Sequence, residues 1–353
     1  MHCPACNVEA AEGSKFCEEC GSALEAVVAT ASGIVDPKLR CTTCGAGPNT
    51  IDDDGFCTQC GDRRLLPWRH HFEDVLSAKV AGVSDIGTTY YENQDFFVLG
   101  QAESGELVTI VCDGVSHSQH PMEGSRVSCD TALASICADL KGGTDEPNAI
   151  LTRAMSRAQE AICKVPFVKG LTEMVEGEEA LVPPAQATAV GVLVKGKRIT
   201  IGWLGDSRAY WVGVDGARQL TTDHSWFNDV VSSGAMTAEQ ALKDKRARAI
   251  VRSLGADLDG SNPGVEPDAL TLNLTESGVL LVVSDGFYTY ADEKQIARLV
   301  KELPKDIDAL TMARHLVEYA RNAGGRDNLT VVAILTDAFG EFAQICRQHA
   351  IGK

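Results

Sequence analysis

Short apolar runs recur between residues 74 and 337, and runs of this kind are typical of buried β-strands. Several follow one another after only a few residues, as around Gly196-Lys197, and strands joined this closely must pair antiparallel. The pattern therefore predicts antiparallel sheet built from strands at residues 108–112, 187–195, 198–204, 208–212, 218–220, 279–284 and 329–335.

Longer segments of the same region carry apolar residues at helical spacing. They predict helices at residues 122–140, 147–164, 245–254, 293–301 and 307–322. Because strands and helices form separate groups along the chain, the pattern indicates α+β layers rather than a doubly wound parallel sheet. The acidic segment 168–184 is predicted to be a surface loop or flap, and residues 339–353 to be a short docking helix.

Two of the predicted strands end in an aspartate that is followed by glycine. Asp113 follows the run at 108–112, and Asp285 follows the run at 279–284. An Asp-Gly pair alone is a common turn, but a carboxylate at the edge of a core is costly unless something neutralises it. Asp327 stands just before a third strand. Three carboxylates at strand ends predict a site for hard divalent cations.

The net charge of the chain indicates which kinds of molecule it is suited to bind. A net charge of −17 over 353 residues argues against nucleic acid and anionic membranes as main partners. No apolar stretch is long enough to span a bilayer, and the N-terminus lacks the features of a signal peptide. These features predict a cytoplasmic protein in a reducing compartment. The sequence also has no glycine-rich motif of the kind that cradles nucleotide phosphates.

Eight of the 13 cysteines lie before residue 61 and form two similar sets of paired Cys-x-x-Cys motifs. Each set can supply four thiolates to one structural zinc ion. The residue after each pair is glycine or asparagine, which tolerates the positive φ of a tight zinc knuckle. A disulfide framework or a redox pair is the alternative, and neither a secretion signal nor a βαβ pattern supports it. The predicted zinc ligands are Cys3, Cys6, Cys17, Cys20, Cys41, Cys44, Cys57 and Cys60.

These features divide the chain into five predicted parts. They are a first zinc ribbon at 1–24, a linker at 25–39, a second ribbon at 40–65, the main domain at 74–337 and a tail helix at 338–353. Neither ribbon shows the basic footprint of a nucleic-acid binder. We expect the ribbons to contact a partner protein or to act as structural caps.

The acidic strand ends belong to an ordered series of short motifs that resembles the metal-dependent Ser/Thr protein phosphatase family, type 2C. The resemblance covers residues 79–335, and each motif alone is weak, whereas the ordered set is specific. The motifs are Ser84-Asp85-Ile86-Gly87, Asn93-Gln94-Asp95, Asp113-Gly114, Gly205-Asp206-Ser207-Arg208, Thr221-Thr222-Asp223-His224-Ser225, Ser284-Asp285-Gly286 and Gly325-Arg326-Asp327-Asn328.

The resemblance implies a four-layer αββα sandwich of two antiparallel sheets, with a binuclear Mn²⁺ or Mg²⁺ centre at one end. It implies that Asp113 bridges both metals and that Gly114 offers its backbone carbonyl to one of them. Asp285 and Asp327 are expected to bind the other metal. Oxygen ligands favour Mn²⁺ or Mg²⁺ over zinc, so the carboxylates and the thiolates should hold different metals.

The remaining acidic and amide residues of the motifs have implied roles around this centre. Asp95 is expected to hold metal-bound water, and Gln94 to contact a metal through water. Asp206 is expected to share a weaker third metal with Asp285. The implied activity is hydrolysis of phosphoserine and phosphothreonine in proteins by a metal-activated water, which needs no covalent intermediate.

The sequence departs from the family at the position where many members bind phosphate with arginine, because Tyr90 stands there. Phosphate affinity should then be lower, or another cation must substitute, for which Arg126 and Arg208 are the candidates. His117 and His120 are candidates for protonating the leaving oxygen. The alternative interpretation is a catalytically weak phosphoprotein-binding or scaffold protein of the same fold, although a scaffold has no need of repelling carboxylates. His224 is expected to be a structural hydrogen-bonding residue.

Overall fold

The computed structural model describes residues 57–61, 71–102, 105–143, 146–175 and 177–336. The chain divides into two units, Met1–Trp68 and Arg69–Lys353. The predicted first ribbon, the linker and the tail helix lie outside the described residues. So do six of the predicted zinc ligands, namely Cys3, Cys6, Cys17, Cys20, Cys41 and Cys44.

The last predicted zinc knuckle is described. Cys57 is buried and Cys60 is exposed. Gly61, which follows the pair, has a φ of 71° and donates its N–H to the carbonyl of Cys57 at 2.7 Å. A residue with a side chain rarely adopts this φ, so the expectation of a left-handed backbone after the cysteine pair is confirmed here.

The second unit contains the strands and helices of the main domain. In chain order, the strands are β1 (His71–Ser77), β2 (Val80–Asp85), β3 (Asp95–Gln101), β4 (Leu107–Asp113), β5 (Thr172–Val175), β6 (Glu178–Leu181), β7 (Gln186–Ala187), β8 (Ala189–Lys195), β9 (Arg198–Leu204), β10 (Arg208–Gly213), β11 (Gly216–Gln219), β12 (Leu254–Gly255), β13 (Asp268–Asn273), β14 (Val279–Val283) and β15 (Leu329–Leu335). The helices are α1 (Pro121–Gly142), α2 (Pro147–Ile162), α3 (Trp226–Ser232), α4 (Ala238–Leu242), α5 (Asp285–Tyr288), α6 (Glu293–Glu302) and α7 (Ala309–Asn322).

Two antiparallel sheets dominate this unit. The first has the order β1-β2-β15-β14-β10-β11, and the second has the order β13-β9-β8-β4-β3. Every neighbouring pair in them is antiparallel. The prediction of two antiparallel sheets is therefore confirmed, and tight turns such as the one at Gly196 explain why the chain can pair strands without helical crossovers.

The layers follow from the alternation of side chains along each strand. On β14, Leu281 and Val283 face the apolar cluster that α6 and α7 share with the first sheet. Leu280 and Val282 belong to a second cluster, between the two sheets. A third cluster joins the second sheet to α1 and α2. Both faces of each sheet are thus covered, and the helix, sheet, sheet, helix order matches the predicted four layers.

The predicted helix at 245–254 is wrong. Its backbone groups form hydrogen bonds outside the segment and not along a helix. Trp226 N–H donates to the carbonyl of Ala249 at 2.8 Å, and Val251 N–H donates to the carbonyl of His224 at 2.9 Å. The guanidinium of Arg246 also lies 4.3 Å from the centre of the Trp226 ring. These contacts tie a turn-rich segment back onto α3. The helices α3 and α4, just before it, were not predicted.

The acidic segment at 168–184 contains the hairpin β5–β6, whose residues are largely exposed. Gln119 fastens it to the main body, since its side chain donates to the carbonyls of Val168 and Val182 and accepts the N–H of Val168. The predicted surface flap is therefore an ordered hairpin. Among the helices that the structure describes, none has both the length and the apolar character that a membrane crossing requires.

Candidate metal centre

The register of β3 against β4 brings two predicted site residues together. Asp95 and Asp113 are directly opposite one another across these antiparallel strands, so their side chains lie on the same face. Asp95 is 2% exposed, and its Oδ2 accepts hydrogen bonds from Ser284 Oγ at 2.6 Å and Thr330 Oγ1 at 2.8 Å. Its other oxygen, Oδ1, is buried and accepts no hydrogen bond from the described residues.

The first sheet supplies the other predicted carboxylates. Asp285 begins α5, two residues after β14, and Asp327 stands two residues before β15. Because β14 and β15 pair antiparallel, the end of one strand and the start of the next lie at the same edge of the sheet. The side chain of Asp113 lies within hydrogen-bonding reach of both Asp95 and Asp285. The negative charges of Asp285 and Asp327 also raise the pKa of Asp113. The structure therefore brings the four predicted catalytic carboxylates together.

The glycines after Asp113 and Asp285 allow backbone segments to pack closely. A Cβ at Gly114 would lie 2.3 Å from the carbonyl oxygen of Pro121, and a Cβ at Gly286 would lie 1.9 Å from that of Asn328. Both distances are far below normal contact. We find that these glycines serve the approach of neighbouring chain segments, which holds each aspartate at the shared edge.

Burial and mutual repulsion disfavour ionisation of this cluster. Burial raises the pKa of Asp95 to about 7, and the charge of Asp327 adds to the effect. Burial likewise raises the pKa of Asp113 and of Asp285 well above the ordinary value, with further repulsion from neighbouring aspartates. A cation or shared protons must offset this repulsion for the carboxylates to lie side by side at neutral pH.

The donor set fits a hard divalent cation. The cluster offers only oxygen atoms, including one buried carboxylate oxygen without a hydrogen-bond partner in the described part of the chain. Within the described ranges, no group of three or more His, Cys, Asp or Glu side chains forms a ready ligand set for one ion. Backbone carbonyls and water would have to complete each coordination shell, which suits Mg²⁺ because it usually retains several waters.

Asp206 lies in the turn between β9 and β10 and belongs to the same electrostatic cluster. Its charge acts on Asp113 and on Asp285. Its Oδ2 accepts a hydrogen bond from Tyr288 at 3.2 Å, and burial raises its pKa to about 6. The position agrees with a role beside Asp285.

Arg208 is committed to a different set of partners. Its guanidinium donates two hydrogen bonds to the carboxylate of Asp223, at 2.9 and 2.6 Å, and a third to Tyr210 at 2.8 Å. The same group lies 3.5 Å from the ring centre of Tyr288. Arg208 therefore orients Tyr288, which donates to Asp206, and it is not available to bind a substrate phosphate.

Gln94 sits beneath the loop that follows Asp113. Its backbone N–H donates to Asn328 Oδ1 at 2.8 Å, and its carbonyl accepts the N–H of Gly114 at 3.0 Å. Its side-chain Oε1 accepts a hydrogen bond from Ser116 at 2.7 Å. A metal-bound water held by Gln94 would share this oxygen with Ser116 or accept a hydrogen bond from the amide nitrogen.

Tyr90 lies near the carboxylate cluster. Its hydroxyl is hydrogen-bonded to the side chain of Ser116, and the charges of Asp327, Asp113 and Asp285 act on it. Burial, followed by these charges, raises the pKa of the phenol, so that Tyr90 stays an O–H donor. The position expected to contact phosphate therefore lies near the carboxylates.

The predicted histidines lie elsewhere. His117 is exposed and has its Nδ1 3.4 Å from Glu173 on the flap hairpin. His120 is exposed and precedes α1 with a φ of 53°. His224 accepts the N–H of Gly205 on Nδ1 at 3.0 Å, as expected of a structural residue. The structure gives neither His117 nor His120 a contact with the carboxylates.

Two contributions to the site were not predicted. Ser284 and Thr330 hold Asp95, and the only hint in the sequence was that Ser284 stands next to Asp285. Arg248, on the turn-rich segment after α4, acts electrostatically on Asp327. No motif marks Arg248, and the wrong helix prediction placed it on a regular element.

Comparison with known proteins gives matches over both units. The family model for protein phosphatase 2C matches residues 89–321, and the model for a double zinc ribbon matches residues 3–61. The serine/threonine phosphatase stp of Listeria innocua is 27% identical over 256 residues, covering 71% of this chain and 93% of that protein.

Solved structures show the same fold. The serine/threonine phosphatase of S. agalactiae is 25% identical, with a TM-score of 0.56, and the match covers 76% of this chain and 100% of that one. The catalytic domain of the phosphatase PstP, solved in complex with two manganese ions, is 23% identical, with a TM-score of 0.53 over 76% of this chain and 99% of that one.

Proposed function

Because the chain belongs to the protein phosphatase 2C family, we propose that it hydrolyses phosphoserine and phosphothreonine in proteins at a binuclear Mn²⁺ or Mg²⁺ centre. Relatives that match along nearly their whole length are named serine/threonine phosphatases. The proposal is supported by the acidic strand ends, which converge from both sheets on one edge of the sandwich.

The residues that would hold the metals are Asp113, the carbonyl of Gly114, Asp285 and Asp327, with Asp206 for a weaker third ion. When bound, two metals supply a nucleophilic water at neutral pH and a clamp for phosphate oxygens. The protein's part is to hold the ligands. Asp95 cannot rotate freely because Ser284 and Thr330 fix its Oδ2, and Oδ1 is left to orient a water.

One observation carries this proposal more than any other. Asp95 is buried, its Oδ1 lacks a hydrogen bond from the described residues, and Asp113 is its direct neighbour across the strands. A structural carboxylate at such a position would normally have a cationic or N–H partner. A pair of carboxylates without one is consistent with a site that recruits metal.

The test is hydrolysis of a phosphothreonine peptide by the purified full chain, with Mn²⁺, with Mg²⁺ and with excess chelator. We expect turnover that depends on metal and is lost in Asp285→Ala. A burst of covalently bound phosphate should not be seen, since no nucleophilic side chain is needed. Metal-independent turnover, or full activity of Asp285→Ala, would contradict the proposal.

Tyr90 favours a second function, that of a phosphoprotein-binding or scaffold protein, because it removes a charge at the usual phosphate position. The same assay separates the two functions. If phosphopeptide binds to the Mn²⁺-loaded protein but no phosphate is released, the scaffold function is correct.

For the N-terminal unit, we propose that the eight cysteines bind two structural zinc ions. The match to a double zinc ribbon supports this, as does the left-handed Gly61 after its cysteine pair. We expect two equivalents of zinc by elemental analysis of protein purified without added metal. Cys41→Ser should remove one equivalent while leaving the hydrolytic activity of the second unit measurable.

A further inference from the structure

The turn between β9 and β10 places Asp206 at the same edge of the first sheet as Asp285. In the antiparallel register of β10 against β14, Arg208 is directly opposite Val283. Asp206 stands just before the start of β10, and Asp285 stands just after the end of β14. Because the start of one antiparallel strand lies beside the end of its neighbour, strand pairing alone brings these two aspartates to one place.

Thr188 holds the same turn against Asp113. Its backbone N–H donates to the carbonyl of Asp113 at 2.8 Å, and its hydroxyl oxygen accepts the N–H of Asp113 at 3.2 Å. The hydroxyl is also hydrogen-bonded to that of Ser207 at 2.6 Å. A Cβ at Gly205 would lie 2.7 Å from the side chain of Thr188. Both chain neighbours of Asp206 are therefore packed against the residue that fixes the backbone of Asp113.

Tyr288 contacts the Asp206 side chain from α5. It is the last residue of this short helix, which begins at Asp285, and residues three apart lie on one face of a helix. The Tyr288 hydroxyl is hydrogen-bonded to Asp206 Oδ2 at 3.2 Å. A phenol, with an ordinary pKa of about 10, keeps its proton at neutral pH and is the donor to a carboxylate. One helical turn thus carries one carboxylate and donates a hydrogen bond to the other.

The ring of Tyr288 is itself fixed by its neighbours. The guanidinium of Arg208 lies 3.5 Å from the ring centre, which is a close cation–π contact. Arg208 in turn donates two hydrogen bonds to the carboxylate of Asp223, which also accepts one from Gln219 at 3.0 Å. Tyr288 also packs against the apolar cluster that α6 and α7 share with the first sheet. The hydroxyl therefore has a defined position, as a group that orients a metal ligand must have.

We propose that Tyr288 is a positioning residue of the metal centre, whose hydroxyl holds the carboxylate of Asp206 in the orientation in which it shares a divalent cation with Asp285. Hydrogen bonds to a metal ligand from outside the coordination shell set its orientation and contribute to metal affinity. The opposite role would be a hydroxyl that occupies Asp206 in place of a cation, and its removal would then tighten metal binding. The inference rests on the proposed function for the presence of the metals.

The first test titrates Mn²⁺ into the full chain and follows free Mn²⁺ by electron paramagnetic resonance. The wild type should bind two ions tightly and a third more weakly. Tyr288→Phe removes only the hydroxyl, and we expect it to weaken the third site by roughly tenfold to a hundredfold while the two tight sites remain as in the wild type. Tyr319→Phe, which removes a hydroxyl from α7 in the same apolar cluster, is the matched control and should bind all three ions like the wild type.

The second test is a double-mutant cycle, which asks whether Tyr288 acts through Asp206. Asp206→Asn should abolish the third site. In that background, Tyr288→Phe should change Mn²⁺ binding no further, because the group that the hydroxyl orients is already lost. If Tyr288→Phe instead weakened the two tight sites equally in both backgrounds, it would act on the fold as a whole, and the inference would be overturned.

The outcomes separate this inference from the proposed function. If the third site of Tyr288→Phe is as strong as that of Tyr319→Phe, or stronger, the inference is overturned whether or not the protein hydrolyses phosphopeptides. A wild type that binds only two Mn²⁺ ions overturns it as well. If the wild type shows no turnover but its third site still depends on Tyr288, the proposed function fails and the inference stands. A far-ultraviolet spectrum and melting temperature equal to those of the wild type exclude misfolding of the variant.

Discussion

Two buried aspartates at neighbouring strand ends have opposite environments. Asp85, at the end of β2, is 3% exposed, and Asp95, at the start of β3, is 2% exposed. Asp85 accepts hydrogen bonds from His71 at 2.9 Å, from Gly87 N–H at 2.9 Å and from Arg321 at 3.3 Å. Although burial opposes it, these donors hold the pKa of Asp85 below its ordinary value.

Among the residues that the structure describes, none gives Asp95 such a cationic donor. Two hydroxyls fix one of its oxygens, and burial raises its pKa to about 7. The comparison teaches that burial alone does not identify a functional carboxylate. Asp85 is neutralised by the protein and fastens the loop that leads to Tyr90. Asp95 and its neighbours are left for something outside the chain to neutralise.

The largest effect should come from removing one of the carboxylates that the protein itself does not neutralise. We expect Asp113→Asn to lower Mn²⁺-dependent hydrolysis by roughly a thousandfold or more, since two-metal stabilisation supplies several kcal/mol. Without metal, the same variant should melt at a higher temperature than the wild type, because one of the mutually repelling carboxylates is gone. Steady-state kinetics and thermal melts in chelator measure the two effects.

Asp85→Asn is the contrast for this experiment. It should retain most of the activity per folded molecule, yet melt at a lower temperature with or without metal. If Asp113→Asn also melted lower without metal, the distinction between the two kinds of carboxylate would be lost.

The sequence was sufficient to predict the acidic strand ends but not the support around Asp95. Asp113 and Asp285 follow apolar runs, and their position at strand ends depends only on local sequence. Ser284 and Thr330, by contrast, lie 189 and 235 residues from Asp95. Their contact depends on how two sheets pack and on strand register, which no local pattern specifies.

The helix predicted at residues 245–254 is also wrong because of tertiary contacts. The local pattern is compatible with a helix, but backbone hydrogen bonds to His224 and Trp226, and the Arg246 contact with Trp226, override it. Such tertiary contacts commonly outweigh weak helical preference. As a result, the segment that carries Arg248 could not be related to the metal centre from the sequence.

The second expected effect is on the pH dependence of stability without bound metal. The folded-state pKa values of Asp95, Asp113 and Asp285 are raised, so the folded protein holds protons that the unfolded chain has released. Stability should therefore fall as pH rises from about 4 towards about 7. Urea unfolding at several pH values in chelator measures this slope.

Two comparisons isolate the contribution of the cluster. Asp113→Asn should flatten the slope, and the zinc ribbons, which chelator also affects, are common to both proteins. Saturating Mn²⁺ should flatten the slope for the wild type. Equal slopes for the wild type and Asp113→Asn would mean that the cluster does not bear the strain that we assign to it.

A smaller effect, on stability alone, is expected at Asp85. We predict that Asp85→Ala costs about 2 kcal/mol of unfolding free energy, the usual range for hydrogen bonds to a charged group. His71 and Arg321 are partly exposed, so water can solvate them after the change, and the larger cost of stranding a buried cation does not apply. Chemical denaturation at constant metal concentration measures it. A loss below about 0.5 kcal/mol would show that Asp85 is not the anchor of its loop.

The smallest effect concerns His71, whose side chain is 46% exposed. Its hydrogen bond to Asp85 raises the pKa of the imidazole, with a further contribution from Glu73. A raised folded-state pKa means that the stabilisation is complete below the unfolded pKa of about 6.5 and is lost as pH rises through the folded value. Because solvent screens the pair, we expect His71→Ala to cost less than about 1 kcal/mol at pH 6 and still less at pH 8.5.

The informative result is whether His71→Ala costs more stability at pH 6 than at pH 8.5. Both carboxylates beside His71 have a second cationic partner. Glu73 accepts a hydrogen bond from Arg314 Nε at 2.7 Å, and Asp85 accepts one from Arg321. Each carboxylate therefore keeps a positive neighbour when His71 is removed. His71→Gln, which can still donate a hydrogen bond to Asp85, should show the smaller loss without the pH dependence. The metal cluster loses stability with rising pH because its carboxylates ionise, whereas the Asp85 network should lose it because His71 becomes neutral. A His71→Ala variant whose deficit grew towards pH 8.5 would therefore contradict the assignment of Asp85 as an aspartate that the protein itself neutralises.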